Sequence, residues 1–327
     1  MPELARNGRR QVELPTLAMM LGTYLCWFLG TTVIWQMSPV LGLILTTLAI
    51  AQFSSLQHEV LHGHPFANTA LNEALVFPGL TLFIPYDRFR DLHLLHHHDP
   101  DLTDPYDDPE SNFLDPAVWA RMSRPLRWLY RVNNTLLGRI VLGPALSIRA
   151  LARDDLAAAR RGDRALQRAW VLHAGGVALV LGWLVLTTGM PVWVYLIAAY
   201  AAFGLLKIRT FLEHRAHEAF RGRTVIIEDR GPLSILFLNN NFHAVHHMHP
   251  AMPWYELPAK YAAGRAHYLR RNDGYVFRNY AEIFRQYFLT AKDPVPHPLW
   301  TPPGAVDQTI RRNAGIEPEL SKNGTPG

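Results

Sequence analysis

Histidine is the residue whose placement carries chemistry in this chain. Of 16 histidines, most fall into three short clusters: His58, His62 and His64; His93, His96, His97 and His98; and His243, His246, His247 and His249. His58 and His62 stand four residues apart, while His93, His96 and His97 follow the spacing i, i+3, i+4, as do His243, His246 and His247. On a helix these spacings set the rings on one face. A neutral imidazole offers a lone pair to a metal. Gathering many such rings away from water is costly unless a metal takes those lone pairs. One tetrahedral ion takes four ligands. The eight histidines of the three spaced sets exceed that number and fit two ions held close together. The single cysteine, Cys26, lies inside an apolar run, so the chain has neither a disulfide framework nor a Cys-x-x-Cys metal motif.

The elements that must position these rings are apolar. Four stretches reach the roughly 20 residues that a bilayer requires: Thr16 to Met37, Val40 to about Gln57, about Ala169 to Thr188, and Val192 to about Leu212. Ser38-Pro39 and Gly189-Met190-Pro191 join them as two hairpins. Arginine collects elsewhere: Arg6, Arg9 and Arg10 at the start, and a dense series from Arg121 to Arg168 between the hairpins. Basic segments stay on the cytoplasmic side, which puts both termini and the long middle segment there. The net charge of +5 then reads as a membrane collar rather than a nucleic-acid surface. The first apolar run is too long for a signal peptide, and no small-residue cleavage site follows it. Scarce lysine beside abundant arginine points to a GC-rich bacterial source, and so to the bacterial inner membrane. The expected fold is all-α and integral to the membrane. It is a single domain over 1–327, with four transmembrane helices in two hairpins and a cytoplasmic helical cap that binds metal. All three clusters meet just above the bilayer, where a lipid tail from below and electrons from a soluble donor can both arrive.

The strings HEVLH (58–62), HLLHH (93–97) and HAVHH (243–247) resemble the three histidine boxes of the membrane fatty acid desaturase and hydroxylase superfamily. The resemblance runs from about the second span through the third box. It implies a non-haem di-iron centre, two Fe, with O2 as co-substrate. It also implies one further histidine at the end of the fourth span, a place that His214 fills in the string RTFLEH. The implied metal ligands are therefore His58, His62, His93, His96, His97, His214, His243, His246 and His247. Some members carry an asparagine one turn before that histidine, and Thr210 stands there in this chain. Imidazole suits iron, copper and zinc alike, so iron rests on the resemblance. The implied reaction is desaturation of a fatty acyl chain, as an acyl-lipid or an acyl-thioester. Hydroxylation or ketolation of a lipid, alkane or carotenoid on the same scaffold is the alternative. A zinc-dependent membrane hydrolase is the reading from a different class. No His-Pro-Gly-Gly string of a cytochrome b5-like segment occurs, so the electron donor is expected to be a separate protein of ferredoxin, rubredoxin or cytochrome b5 type.

Other features carry weaker expectations. His64 competes with His62 in the first box, and the helical i, i+4 spacing favours His62. His98 and His249 follow boxes as surface or supporting residues. His217 is a possible partner for a ligand ring, His173 a satisfied bundle histidine, and His267 and His297 ordinary surface residues. One or two members of the acidic run Asp99, Asp101, Asp104, Asp107, Asp108 and Glu110 are expected to orient imidazoles, with the rest in water. Glu59 and Glu213 are expected to pair with a box other than their own neighbour's. Asn239, Asn240 and Asn241 are candidates for capping the third box or bonding a ring. Trp254 and Tyr255 serve the interface or simple packing. Leu71 to Pro85, broken by Pro78 and Gly79, reads as a re-entrant or interfacial piece, and Pro125 to Ile148 as an amphipathic interfacial helix. The arginine-rich middle segment sets topology, with an anionic carrier or head group as the other reading. Residues 294–327, rich in Pro, Gly and Asn, read as a disordered tail.

Overall fold

A computed structural model describes residues 12–98 and 101–302. The chain is mostly helical. Helix α1 (Leu14–Thr31) runs into α2 (Val33–Met37), and Thr32 breaks them with a non-helical backbone. Ser38 caps α3 (Pro39–Leu61), with Pro39 at its first position. There follow α4 (Thr69–Leu75), α5 (Tyr86–His98), α6 (Pro116–Arg121), α7 (Arg124–Asn133), α8 (Leu136–Arg160), α9 (Arg164–Thr187) and α10 (Val192–Thr210). The last part is built of short pieces: β1 (Ile226–Ile227), α11 (Pro232–Leu236), α12 (His243–Met248), α13 (Leu257–Arg271), β2 (Val276–Phe277) and α14 (Tyr280–Tyr287). The two strands pair in parallel, Ile226 opposite Val276.

Among the described residues, four helical segments are long and apolar enough to cross a membrane: Leu14–Met37, Pro39–Leu61, Arg164–Thr187 and Val192–Thr210. Two differ usefully from the sequence expectation. The second continues past Gln57 to Leu61, so His58 rides on the helix itself. It continues because its last two turns are buried on nearly every side. The third starts at Arg164 rather than near Ala169, because Asp163 accepts a hydrogen bond from Leu166 N–H at 3.0 Å and caps a solvated first turn. In the most apolar stretch of Pro39–Leu61 and of Val192–Thr210, 44% of the residues are buried, against 22% in the other two segments, so α3 and α10 form the inside of the bundle.

The stretch Leu71 to Pro85 does not span. After α4 it turns irregularly and packs on α9, where a Cβ on Gly176 would lie 2.2 Å from the Phe77 carbonyl oxygen. Glycine there allows two backbones to touch, as membrane helices require at their closest contacts. Pro125 to Ile148 is two helices rather than one: α7 and α8 meet at a bend of 116°. Thr135 Oγ1 caps Gly138 N–H at 3.0 Å at this corner. A Cβ on Gly138 would meet the Val132 carbonyl, so the sharp turn needs glycine. Residues 294–302 are packed against the chain instead of forming the start of a loose tail. Val295 and His297 are buried, and Leu114 N–H donates to Val295 O at 3.0 Å. Residues 303–327 lie outside the described residues, as do Asp99, Arg6, Arg9 and Arg10.

Candidate metal centre

Three helices and the segment after a fourth bring nine imidazoles together. His58 sits in the last turn of α3, and His62 is that helix's C-cap residue. Helix α5 carries His93, His96 and His97, and α12 carries His243, His246 and His247. His214 follows α10 and bridges Thr224 in an isolated antiparallel pair. The nine form two groups, each with its ring nitrogens within 4.8 Å of one another: His58, His62, His93, His97 and His246; and His96, His214, His243 and His247. The helical periodicity explains the division. On α5, His93 and His97 face the first group while His96 turns to the second. On α12, His246 faces the first group while His243 and His247 face the second. The groups adjoin, since the rings of His97 and His247 stack at 4.3 Å with 18° between their planes.

The hydrogen bonds around the rings decide which nitrogens are free. His96 Nδ1 lies 2.7 Å from Asp108 Oδ1, and His93 Nδ1 lies 2.8 Å from Glu110 Oε1. His243 Nδ1 lies 3.1 Å from Asn240 Oδ1. Carboxylate and amide oxygens accept, so each of these rings carries a hydrogen on Nδ1 and presents Nε2 as the atom left for a metal. Yet Nε2 of His96 stands 3.0 Å from His214 Nε2, and Nε2 of His243 stands 3.2 Å from that same atom. In the first group, His97 Nε2 is 3.0 Å from His93 Nε2 and 3.1 Å from His246 Nε2. A single ring hydrogen on His214 serves only one of its two neighbours, and its own Nδ1 has no hydrogen-bond partner. His58 Nε2 and His62 Nε2 are likewise buried without a partner. Lone pairs turned toward one another in a buried space repel unless a cation lies among them. A metal–imidazole bond of about 2.1 Å puts neighbouring nitrogens about 3 Å apart at right angles, so the residues present fit bound metal ions.

Charge follows the same pattern. Burial first, then neighbouring imidazoles, holds His62, His97, His214, His243, His246 and His247 below the ordinary histidine value of 6.5. They stay neutral and able to ligate. Burial also opposes charge on His96, but the carboxylates of Glu110 and Asp108 outweigh it and raise this group to about 9, so in the metal-free protein it holds a second hydrogen on Nε2 that a bound cation would displace. Burial would raise Glu110, whereas His93 and His96 pull it below the usual carboxylate range.

Of the acidic run, Asp108 and Glu110 touch imidazoles. Asp104 instead caps a turn through the N–H groups of Tyr106 and Asp107, and Asp107 is exposed. Glu59 lies 3.9 Å from His58 Nδ1, too far for a hydrogen bond, and accepts from Trp254 N–H at 3.1 Å just after the third box. Glu213 Oε1 is 3.0 Å from Arg209 Nε and 3.8 Å from His243 Nδ1. Asn240 bonds a ring, whereas Asn241 Nδ2 donates to the backbone of Ile227 at 2.6 Å and Asn239 Nδ2 to Trp254 O at 3.2 Å. Trp254 packs against the main core, and Thr210 ends α10 half-buried.

The remaining histidines separate. His64 belongs to neither group; its Nδ1 lies 2.7 Å from Glu13, a partner the sequence did not reveal. His217 pairs with Asp273 at 3.1 Å rather than with a ligand ring. His173 Nε2 donates to Leu82 O at 3.0 Å, as a satisfied bundle histidine does. His249 meets Tyr268 OH at 3.1 Å, and His98 and His267 are exposed. His297 is buried, contrary to its expected surface position. Lys292 was also missed: its Nζ donates to the backbone oxygen of His214 at 2.6 Å. Neither contact leaves a periodic trace in the sequence.

Helices able to cross a membrane and two buried imidazole groups define a membrane protein with a histidine-built centre suited to metal. Its sequence matches the fatty acid desaturase family over residues 15–279, and the chain belongs to that family. It is accordingly a desaturase- or hydroxylase-type oxidoreductase. A search of the curated proteins finds no match.

Proposed function

We propose that this protein is an O2-dependent membrane fatty acid desaturase acting on an acyl-lipid or acyl-thioester, with one iron held by each imidazole group. The observation that carries the reading is the pair of groups itself: nine rings, with Nε2 of His96 and of His243 turned into one space. Bound there, two irons would supply the redox chemistry that breaks an unactivated C–H bond at the expense of O2 and two external electrons. The chain's own residues do the rest. Asp108, Glu110 and Asn240 hold the Nδ1 hydrogens of His96, His93 and His243 and so fix those rings with Nε2 inward. Lys292 holds the backbone at His214. Packing in the bundle keeps the groups buried, which favours neutral rings over imidazolium. A cleft of about 730 Å3 lies between α4, α5 and the start of α9 and reaches Gln57, next to His58; with Glu73, Asp87, Arg88, Arg90 and Arg168 in its lining it suits the polar end of a lipid or thioester rather than the aliphatic chain.

The arginine distribution supports two hairpins with both termini and the metal groups on the cytoplasmic face of a bacterial inner membrane. A separate electron donor of ferredoxin, rubredoxin or cytochrome b5 type would reach the centre from that side. The test is mass-spectrometric lipid profiling of a bacterial host producing the protein with a donor system, beside the His247→Ala variant. Acyl species about two mass units lighter, absent in the variant, are expected. Species about sixteen units heavier would move the reaction to hydroxylation. Full activity in His247→Ala would remove His247 from the ligand set.

A further inference from the structure

The carboxylate that orients the second group is itself held from the far end of the chain. Asp108 lies in the irregular loop between α5 and α6. Its Oδ1 accepts from His96 Nδ1–H at 2.7 Å and Glu110 N–H at 2.9 Å, and its Oδ2 accepts from Thr103 N–H at 2.8 Å. Thr103 is 1% exposed and has φ +79, a left-handed conformation that a β-branched residue keeps only when its surroundings impose it. Two bonds do so. Ser111 Oγ–H donates to the Thr103 carbonyl at 2.8 Å, and His297 Nε2 lies 3.0 Å from Thr103 Oγ1. Leu299 N–H donates to His297 Nδ1 at 3.1 Å, so the ring hydrogen is on Nε2 and is given to the threonine oxygen. The segment around His297 is tied along the loop: His297 N–H donates to Leu114 O at 2.8 Å, and Trp300 Nε1–H to Asp104 Oδ2 at 2.7 Å. Phe113 meets the His297 ring edge-on, with centroids 4.8 Å apart.

We infer that His297 is a positioning residue of the metal centre: through Thr103 and Asp108 it fixes the ring of His96, and with it the second imidazole group. The chain of contacts is continuous and buried throughout, with His297, Thr103, Asp108 and His96 all nearly inaccessible to water. The inference rests on the reading that this group binds a metal. Removing an outer partner of a ligating histidine typically weakens metal affinity by about 10–100-fold. His297 acts two residues further out, and about tenfold is expected.

The experiment uses the full chain in detergent micelles, stripped of metal and titrated with Co(II), whose visible absorption reports each site's ligand geometry. His297→Leu removes the ring hydrogen, and His297→Gln places an amide N–H close to the position of Nε2. The expected result is that one of the bound Co(II) ions is held about tenfold more weakly in His297→Leu, with an altered absorption spectrum, and that His297→Gln restores most of both. Thr103→Gly relieves the left-handed conformation and removes the hydroxyl, so in that background His297→Leu is expected to cost nothing further. Wild-type Co(II) binding in His297→Leu overturns the inference. So does equal damage from His297→Leu and His297→Gln, or a full additional loss in the Thr103→Gly background, since each would make His297 a packing residue. If the wild-type chain itself takes up neither Co(II) nor iron, the reading of a metal centre fails too, and the failure is recognised because wild type and variants are then alike.

Discussion

Asp108→Asn is nearly isosteric and tests the electrostatic design of the site. Three donors converge on this carboxylate: His96 Nδ1–H and Glu110 N–H on one oxygen, Thr103 N–H on the other. An amide has one oxygen. If it faces His96, its NH2 meets Thr103 N–H, donor against donor; if it is flipped, it meets His96 and Glu110 in the same way. Each buried donor left without an acceptor costs about 1–3 kcal/mol. The bond to His96 also loses its charge assistance, which makes such bonds roughly twice as strong. Together these terms give about 3 kcal/mol, or about 100-fold in affinity for a metal in the second group. Isothermal titration of the metal-free protein with Fe(II) or Co(II) under anaerobic conditions measures it directly. Asp108→Asn is expected to show one weakened site while His58, His62 and His246 retain theirs. Wild-type affinity at both sites would refute the argument that Asp108 holds His96 for its task.

Three further outcomes follow from the geometry. Gly176→Ala forces a Cβ to within 2.2 Å of the Phe77 carbonyl and 3.0 Å of Gly79 N, both backbone; a loss of about 1–3 kcal/mol is expected in thermal unfolding, and an unchanged melting temperature would mean the turn after α4 is not seated on α9. Glu13→Gln weakens the buried bond to His64 and is expected to cost about 1–3 kcal/mol in the same assay, with metal content unchanged; a loss of metal would place His64 among the ligands after all. The metal-free protein should be most stable at about pH 7 to 8. Below the ordinary histidine value of 6.5 the unfolded chain takes up protons that the buried His62, His97, His214, His243, His246 and His247 refuse, so stability falls as pH drops. His96 works in the other sense: its stabilisation is complete below 6.5 and is lost as pH rises through about 9. Denaturant midpoints measured across pH 5 to 10 check both limbs, and a flat profile would contradict them.

The parts of the site that repeat were legible in the sequence. His58 with His62, and the i, i+3, i+4 sets on α5 and α12, announce themselves because helical periodicity is written in spacing. His214 is outside any such set and was located only through the resemblance of RTFLEH to a family pattern. The acidic run was visible, but nothing in its composition separated Asp108 and Glu110 from Asp104, because the choice is made by how an irregular loop folds. Thr103 and His297 are 194 residues apart and Glu13 and His64 are 51 apart, and no local pattern encodes contacts across such distances. The span boundaries moved for local reasons of the same kind: the aspartate cap at the start of α9, and the burial that carries α3 on to Leu61.

The unequal burial of the spanning helices has a consequence for how the protein meets different bilayers. Apolar thickness varies between membranes, and a helix that does not match it tilts or drags lipid with it. Here the helices with broad lipid-facing surfaces are the first and third segments, with side chains such as Leu21, Leu25, Leu179 and Leu186 turned outward. Those helices carry no member of the imidazole groups. The inner pair, α3 and α10, delivers His58 directly and His214 just beyond its end, from halves that touch protein on most sides. Changes in bilayer thickness therefore meet the outward side chains of those two helices first, and not the helices that deliver the ring nitrogens.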